Sequence, residues 1–536
     1  MADIPLELDV EHRERLVIDL LHSLPRDCLV RVHRQIAQSL QRDFIGLLPT
    51  ELALHVLSFL PYPSLLACCA VSRRWRVLGL DSSLWRSLCT ARGWEWKATN
   101  PRWSVLFYQQ LQRQIDEDEG VGEDEDEVFT TSALRDALRE EGFVDDDELD
   151  APPLASSSTS TAHQQSKPDY KLLYQTRTLL RSRVVQGSYR RLTLQTRGSP
   201  DGHTATIYCL QLHSFPDGRQ VLFTGSRDTT IRQWDLSRGR VERVLADVHT
   251  GSVLSLCAHG KYLASAGSDM VVVIWDVQTG QVLKLLTDHT DGVLCVRFDD
   301  KRLVSCSKGE STRTHATVRT YLFPDLKPHL VLKTHRAAVN AVAISGNQIA
   351  SASGDRSVCI WDAETGALLH TLESHHSRGI ASIDFAPPLV LTGSSDKHLR
   401  LFNIANPLGG WSTSSELVPR TAPVAPLCPT CEKCGADASS PKSARSRWSR
   451  RKEREMHSEL VRSVALGDDM CISGSYDGTV KIWDRKSGAL IADLTGGHPG
   501  RVFCVGFDCT KVVSCGEEQI SIWDFGHGIE TSFVKL

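Results

Sequence analysis

The sequence predicts a multidomain protein: an all-α amino-terminal region followed by an all-β array of seven short-strand repeats. Three observations carry this. Segments ending in Trp-Asp or a near equivalent recur seven times in the carboxy-terminal two-thirds. Residues 43–90 hold apolar side chains at helical spacing, punctuated by Pro49, Pro61 and Pro63. Between the two regions lies a stretch whose charge and low complexity argue against any packed core.

The repeats end at Trp234-Asp235, Trp275-Asp276, Tyr321-Leu322, Trp361-Asp362, Phe402-Asn403, Trp483-Asp484 and Trp523-Asp524, with steps of 41, 46, 40, 41, 81 and 40 residues. A histidine opens each copy: His203, His249, His289, His335, His376, His457 and His498. Four residues later comes Ile207, Val253, Val293, Val339, Ile380, Val461 or Val502, a β-branched packing position in all seven. Asp228, Asp269, Asp355, Asp396 and Asp477 precede the Trp-type position by six residues, and Glu517 replaces them in the last copy. A carboxylate in that tight turn can accept a hydrogen bond from the histidine, whose ring can then reach the tryptophan region. The pattern resembles the WD repeat, and seven copies imply a closed propeller over 189–536, four strands to a blade. Residues 189–196, YRRLTLQT, suit the outer strand of the last blade. The 81-residue step is read as an insertion at 405–456, without strand alternation and rich in Pro, Ser and charge. Blade three, with its longer turn and neither Asp nor Trp-Asp, is expected to be the loosest.

In the amino-terminal third, Leu52, Val56, Leu57 and Leu60 recur at helical spacing after Pro49, which suits a first helical position. Together with Val71, Trp75, Leu84 and Trp85 the stretch 43–90 is similar to an F-box. About half of these residues must be core, but some 45 residues cannot bury them all. The resemblance implies that the surplus face binds the adaptor of a cullin–RING ubiquitin ligase. Leu48, Pro49, Leu52, Leu57 and Leu60 are the expected contacts, with Trp75 and Trp85 structural. Residues 1–42 carry two stripes, Leu16, Val17, Leu20, Leu21, Leu24 and Leu29, Val32, Ile36, Leu40. These either pack on the helical domain or on a second chain. The segment is similar to the dimerisation helices of the β-transducin-repeat-containing F-box proteins, down to Leu-Gln-Arg-Asp-Phe-Ile at 40–45, and that resemblance implies a homodimer.

Residues 91–115 read as a helical linker or stalk, 116–169 as an acidic disordered linker and 170–188 as a helical lead-in. Residues 116–150 carry 17 acidic and two basic side chains, a net of −15, which leaves +11 on the rest of a chain whose total is −4. The folded part is therefore basic and suited to an anionic partner. The acidic segment is expected to be a solvated spacer; docking on the basic propeller as an internal decoy is the competing reading.

The residues after the β-branched positions and before the carboxylates vary while their neighbours are fixed, as a scaffold presenting a changeable surface would. Arg227, Arg378, Arg462 and Arg501 fall in blades one, five, six and seven, consecutive around a closed ring, and clustered guanidinium groups suit phosphate. The resemblance to the β-transducin-repeat-containing proteins reaches Tyr208, Arg227, Ser252, Ser268, Asn340, Arg378, Gly379, Arg462, Tyr476 and Arg501 individually. It implies a pocket for a doubly phosphorylated Asp-Ser-Gly-x-x-Ser motif.

The function expected is thus substrate recognition in an SCF-type cullin–RING ligase, without catalytic residues or cofactor. A scaffold or nucleic-acid-associated propeller is the alternative. Cys428, Cys431 and Cys434 have chelating spacing, but a structural zinc needs a fourth ligand, Asp437 or His457, and loop cysteines without metal are the preferred reading. The run 442–454 reads as a localisation or nucleic-acid patch, or as a solvated loop. No run of 18 apolar residues suggests a membrane span, the acidic first residues lack a signal core, and the 16 cysteines sit mostly in apolar runs. Cytoplasm or nucleus is the expected location.

Overall fold

In the computed structural model the described residues are 10–40, 43–96, 168–196, 198, 201–215, 219–309, 316–406, 409–414, 456–531 and 533–534. The acidic segment, the three clustered cysteines and the basic run all lie outside them. The chain divides into two compact units, Met1–Ala91 with Asp169–Lys171, and Arg92–Pro168 with Leu172–Leu536.

The first unit holds α1 (Val10–Ser23), α2 (Arg26–Leu40), α3 (Phe44–Leu47), α4 (Thr50–Leu57), α5 (Tyr62–Cys68), α6 (Arg73–Gly79) and α7 (Ser82–Thr90). Pro49 stands at the N-cap of α4, one residue ahead of its expected place, and Pro61 and Pro63 cap and open α5. Asp43 caps α3 through the Gly46 amide at 2.7 Å and accepts the Trp75 indole N–H at 2.7 Å, so one carboxylate joins α3 to α6. Trp85 is fully buried and donates to the Gly79 carbonyl at 2.9 Å. α7 ends at Thr90, and Trp94 is buried in the second unit against Tyr174, ring centroids 5.1 Å apart; the rest of the expected stalk, 97–115, lies outside the described residues.

The last of these helices, α8 (Tyr170–Gln186), leads into the strands. Seven four-stranded antiparallel sheets follow. The first runs Ile207–Ser214, Gln220–Ser226, Ile231–Asp235 and Arg240–Leu245, here strands a to d from the centre outward. Each a strand contacts the a strand of the next blade, and Ile207–Ser214 contacts Cys504–Phe507, so the ring is closed. The seventh blade takes its outer strand from Arg190–Gln195, paired residue by residue with Gln519–Asp524.

The core is a series of seven seams. Each apolar cluster of the propeller combines residues of two consecutive blades, including the pair formed by blades seven and one. The repeated β-branched residues are all at most 1% exposed. They press on small residues of the preceding b strand: a Cβ on Gly225 would lie 2.6 Å from Val253, and one on Gly474 2.8 Å from Val502.

A polar chain ties each blade together. Nδ1 of His203, His249, His335, His376 and His457 lies 2.8 to 3.2 Å from Asp228, Asp269, Asp355, Asp396 and Asp477. Nε2 reaches a buried hydroxyl, Thr224, Ser265, Ser351, Thr392 or Ser473, within 2.8 Å. Where the blade has its tryptophan, the indole N–H donates to the same hydroxyl at 2.8 to 2.9 Å. With a neutral ring the protons run one way, from Trp to hydroxyl to His to Asp, and each buried polar atom is satisfied. The Asp also accepts the amide following the histidine, as from Thr204 at 3.0 Å.

Blades three and seven break this chain. His289 and His498 keep their hydroxyls, Ser305 and Ser514, but Nδ1 of each has no partner among the described residues. In blade seven Pro499 follows the histidine and has no N–H to offer a carboxylate. Blade three is nonetheless regular in its four strands, with Tyr321 buried where tryptophan would stand. Blade five also differs from expectation: its outer strand, Trp411–Ser412, comes from within the stretch read as insertion, and the Trp411 indole donates to the Arg485 carbonyl at 2.8 Å.

Burial, with Arg319 near His289 and Arg191 near His498, lowers both histidines from 6.5 to about 4. The folded state refuses a proton that the unfolded chain accepts, so their contribution is complete above pH 6.5 and is lost as pH falls toward 4, at roughly 3 kcal/mol each. Glu517→Asp should give His498 a carboxylate, raise its pKa and shrink this acid loss. Urea midpoints measured at pH 7 and pH 5 for both proteins check this; equal losses would refute it.

Candidate functional site

Two surfaces stand out, one in each unit. In the helical unit, Ala53, Leu57, Leu65, Cys68, Leu78 and Leu84 form the core, with Leu48, Leu60 and Trp75 partly buried against it. Leu57 is 1% exposed, which corrects its expected role as an adaptor contact: α5 and α6 cover that side of α4. Pro49 is exposed, and Leu52 is 54% exposed. Apolar side chains offered to solvent on α3, α4 and the turn that follows are Phe44, Leu47, Leu52, Val56 and Phe59, of which Leu52 alone was among the expected adaptor contacts. Arg74 donates to the Leu48 carbonyl at 2.9 Å and fixes the turn before Pro49. On α1, Val17 and Leu20 are exposed as well.

In blades one, two, four, five and six, the residue before the carboxylate donates its amide to the carbonyl just before the β-branched residue. Arg227 bonds to Thr206, Ser268 to Ser252, Gly354 to Ala338, Ser395 to Gly379 and Tyr476 to Leu460, all at 2.9 to 3.0 Å. The b–c turn and the entry to strand a are thereby locked side by side at one end of these blades, whereas in blade seven the Gly516 amide bonds to the Gln519 carbonyl at 3.0 Å instead. Blade three makes the same bond from Lys308 to Gly292 at 3.0 Å. Lys308, exposed, is the rim residue that pattern reading missed, because blade three lacks the Asp that marks the position elsewhere.

A bulge follows each β-branched residue in blades one to six, at Tyr208, Leu254, Leu294, Asn340, Ala381 and Arg462. Bulges re-aim one side chain without breaking the sheet, and these are the variable positions of the sequence. Phe503 of blade seven packs edge-on between Tyr208 and Tyr476, each 5.4 Å away, so three blades share one aromatic floor. Arg501 lies over the Tyr476 ring at 5.2 Å. Asn340 donates to the Ile380 carbonyl at 2.6 Å and bridges blades four and five. Gly379 is required where it stands, since a Cβ there would lie 3.0 Å from the Gly354 backbone.

Arg227, Arg378 and Arg501 are exposed and Arg462 is half-buried; among the described residues none takes part in an ion pair. The Arg462 charge is felt by the buried thiols of Cys209 and Cys515, which places it toward the interior of the ring. At the opposite end of the strands a cavity of about 350 Å³ opens beside α8. Its arginines are neutralised: Arg177 by Asp468 at 3.2 Å, and Arg181 by Asp469 and Asp484 at 3.8 and 3.6 Å. Unlike these two, the rim arginines have no carboxylate partner among the described residues. Among the described residues no cluster of side chains can hold a metal, and His457, bonded at both nitrogens, is committed to its blade.

Comparison with known families matches the F-box-like model over residues 45–91, an NWD2 C-terminal beta-propeller model over 214–381, and the WD domain, G-beta repeat over 366–403 and 449–484. Cell division control protein 4 of Saccharomyces cerevisiae is 23% identical over 502 residues, covering 88% of this chain and 54% of that protein. Autophagy-related protein 16 of Arabidopsis thaliana is 25% identical over 282 residues, 51% of this chain and 47% of its own. Nuclear distribution protein PAC1 of Arthroderma benhamiae is 31% identical over 171 residues, 29% and 37% respectively. The chain spans about half the length, or less, of these curated relatives.

Leu57→Ala should cost about 2–5 kcal/mol of helical-unit stability by leaving a cavity. Pro49→Ala with Leu52→Ala should change stability by less than about 0.5 kcal/mol while abolishing adaptor co-purification. Thermal melts beside pull-downs check this, and adaptor retained by the double variant would remove the face from consideration.

Proposed function

We propose that this chain, an F-box and WD-repeat protein, is a substrate-recognition subunit of an SCF-type cullin–RING ubiquitin ligase. The apolar face of α3 and α4 binds the adaptor, and the propeller mouth binds phosphorylated segments of substrate proteins. The observation that carries the reading is the unpaired arginine arc, Arg378, Arg462, Arg501 and Arg227, beside the aromatic floor of Tyr208, Phe503 and Tyr476. Guanidinium groups without carboxylate partners suit phosphate dianions in two-pronged contacts, and Ser252, Ser268 and Asn340 add neutral donors around them. Such a subunit performs no bond chemistry. It acts by raising the local concentration of substrate near a ubiquitin-charged enzyme. The resemblance to the β-transducin-repeat-containing proteins favours a doubly phosphorylated Asp-Ser-Gly-x-x-Ser ligand, with Lys308 as an added cation in blade three.

Fluorescence anisotropy with that peptide and its unphosphorylated twin tests the proposal. Binding should require phosphate and weaken with salt, and Arg462→Glu should reduce affinity by at least about tenfold, the loss of one charge-assisted contact. Equal binding of both peptides would defeat the assignment.

A homodimer through α1 and α2 belongs to the same reading, supported by the exposed Val17, Ile18 and Leu20. Light scattering should give twice the chain mass for the full protein and a single mass after deletion of residues 1–40. A dimer that survives the deletion would place the contact elsewhere.

A further inference from the structure

The entry loops and b–c turns of blades four and five meet through their backbones at the end of the propeller that carries the mouth. The Arg336 amide donates to Asp355 at 2.8 Å, and Arg356 follows that aspartate in its turn. A Cβ on Gly354, just before it, would lie 3.6 Å from Ala337, and one on Gly379 would lie 3.0 Å from the Gly354 backbone. Arg378 precedes Gly379, and the Ser377 amide donates to Asp396 at 3.0 Å, with Lys397 next in the turn. Arg336, Arg356, Arg378 and Lys397 are all exposed. The ground between the three arginines is Ala337, Gly354 and Gly379, which have little or no side chain.

The repeat does not require these charges. The residue after the histidine is Thr204, Thr250, Thr290, Ser377, Ser458 or Pro499 in the other blades, and Arg336 in blade four alone. The residue after the turn carboxylate is Thr229, Met270, Gly478 or Glu518 in blades one, two, six and seven, but Arg356 and Lys397 in blades four and five. Both cations stand at positive φ, 73° and 75°, where glycine, as at Gly478, is the unstrained choice. Nor does the fold neutralise them. Asp355 and Asp396 are taken up by His335, His376 and the turn amides. Glu373 is the acidic side chain of these loops that lies outside the turns. Among the described residues none of the four cations is in an ion pair.

We propose that the mouth extends outward over blades four and five as a second anion surface, on which Arg336, Arg356 and Lys397 receive acidic side chains flanking the phosphorylated motif of a substrate. This surface presupposes the phosphopeptide site in the mouth, and Arg378 joins the two. The bare backbone at Gly354 and Gly379 lets an extended chain leave the mouth between the cations. Exposed ion pairs are individually weak and are screened by salt, so the surface grades substrates by flanking charge and does not anchor them.

Fluorescence anisotropy compares the doubly phosphorylated peptide with neutral flanks against two versions extended by glutamates, one on either side. One extended version should bind about tenfold tighter than the neutral one at about 50 mM salt, and the gain should shrink at about 500 mM. The combined variant Arg336→Gln, Arg356→Asn and Lys397→Asn should lose that gain and bind the neutral-flanked peptide as the parent does. It should fold, since the three side chains are exposed and asparagine accepts positive φ; an unchanged melting temperature checks this. A neutral-flanked peptide that binds while neither extension helps would overturn this surface and leave the mouth as read. A gain that survives in the combined variant would overturn it as well. A neutral-flanked peptide that does not bind would defeat the reading of the mouth, and this surface with it. If a DNA duplex of random sequence binds the parent and not the variant, with no gain from glutamate, the surface serves nucleic acid and not substrate.

Discussion

Pairing of Arg190–Gln195 with Gln519–Asp524 joins the two ends of the propeller, and every other feature of that unit presupposes it. Without this strand blade seven would have three strands and an open edge, and Leu194 would be missing from the seam with blade one. The closing strand comes from before the first blade, so α8 must lie near the join. Arg183 of α8 donates to the Phe525 and His527 carbonyls at 3.0 and 2.8 Å, and Val184 enters the seam between blades six and seven. Closure fixes the angular position of each blade. It thereby brings blades five, six, seven and one into the consecutive order that makes four distant arginines neighbours.

Within a blade, stability and presentation rest on the same carboxylate. Asp228 holds His203 and the Thr204 amide, and the residue before it is Arg227; Asp477 does the same for His457 and Ser458, and the residue before it is Tyr476. A turn fixed by three or four hydrogen bonds is a rigid mount for one variable side chain, so little conformational entropy remains to be lost on binding. The bulge after the β-branched residue works from the other side of the turn. It leaves Ile207 and Val461 in the seams while turning Tyr208 and Arg462 out of the regular pleat.

Most of this was legible in the sequence, because the marks are wide apart and repeat in register. The histidine, the β-branched residue, the Asp and the Trp-Asp each occupy one position of a fixed frame. The buried hydroxyl that links them was not legible: Thr224 or Ser473 is one small residue among several in a short strand, and only the fold shows which one faces both rings. Lys308 was hidden by the missing Asp of its blade. Trp411–Ser412 was hidden by its length, since two residues carry no alternation. Leu57 was misplaced because helical spacing defines a stripe without saying which edge of it α5 and α6 will cover.

The distribution of arginine partners separates a binding surface from a merely basic one. Away from the rim, Arg177 and Arg181 find aspartates, Arg183 finds carbonyls, and Arg302 reaches Asn347 and Glu364. At the mouth, the b–c turns provide a carboxylate within one residue of Arg227, yet Asp228 spends its oxygens on His203, Thr204 and Thr230. In blades one, five and six the turn aspartates, Asp228, Asp396 and Asp477, are consumed in holding the turns beside the arginines. A surface selected only for solubility has no reason to keep acid and base so close and so separately employed.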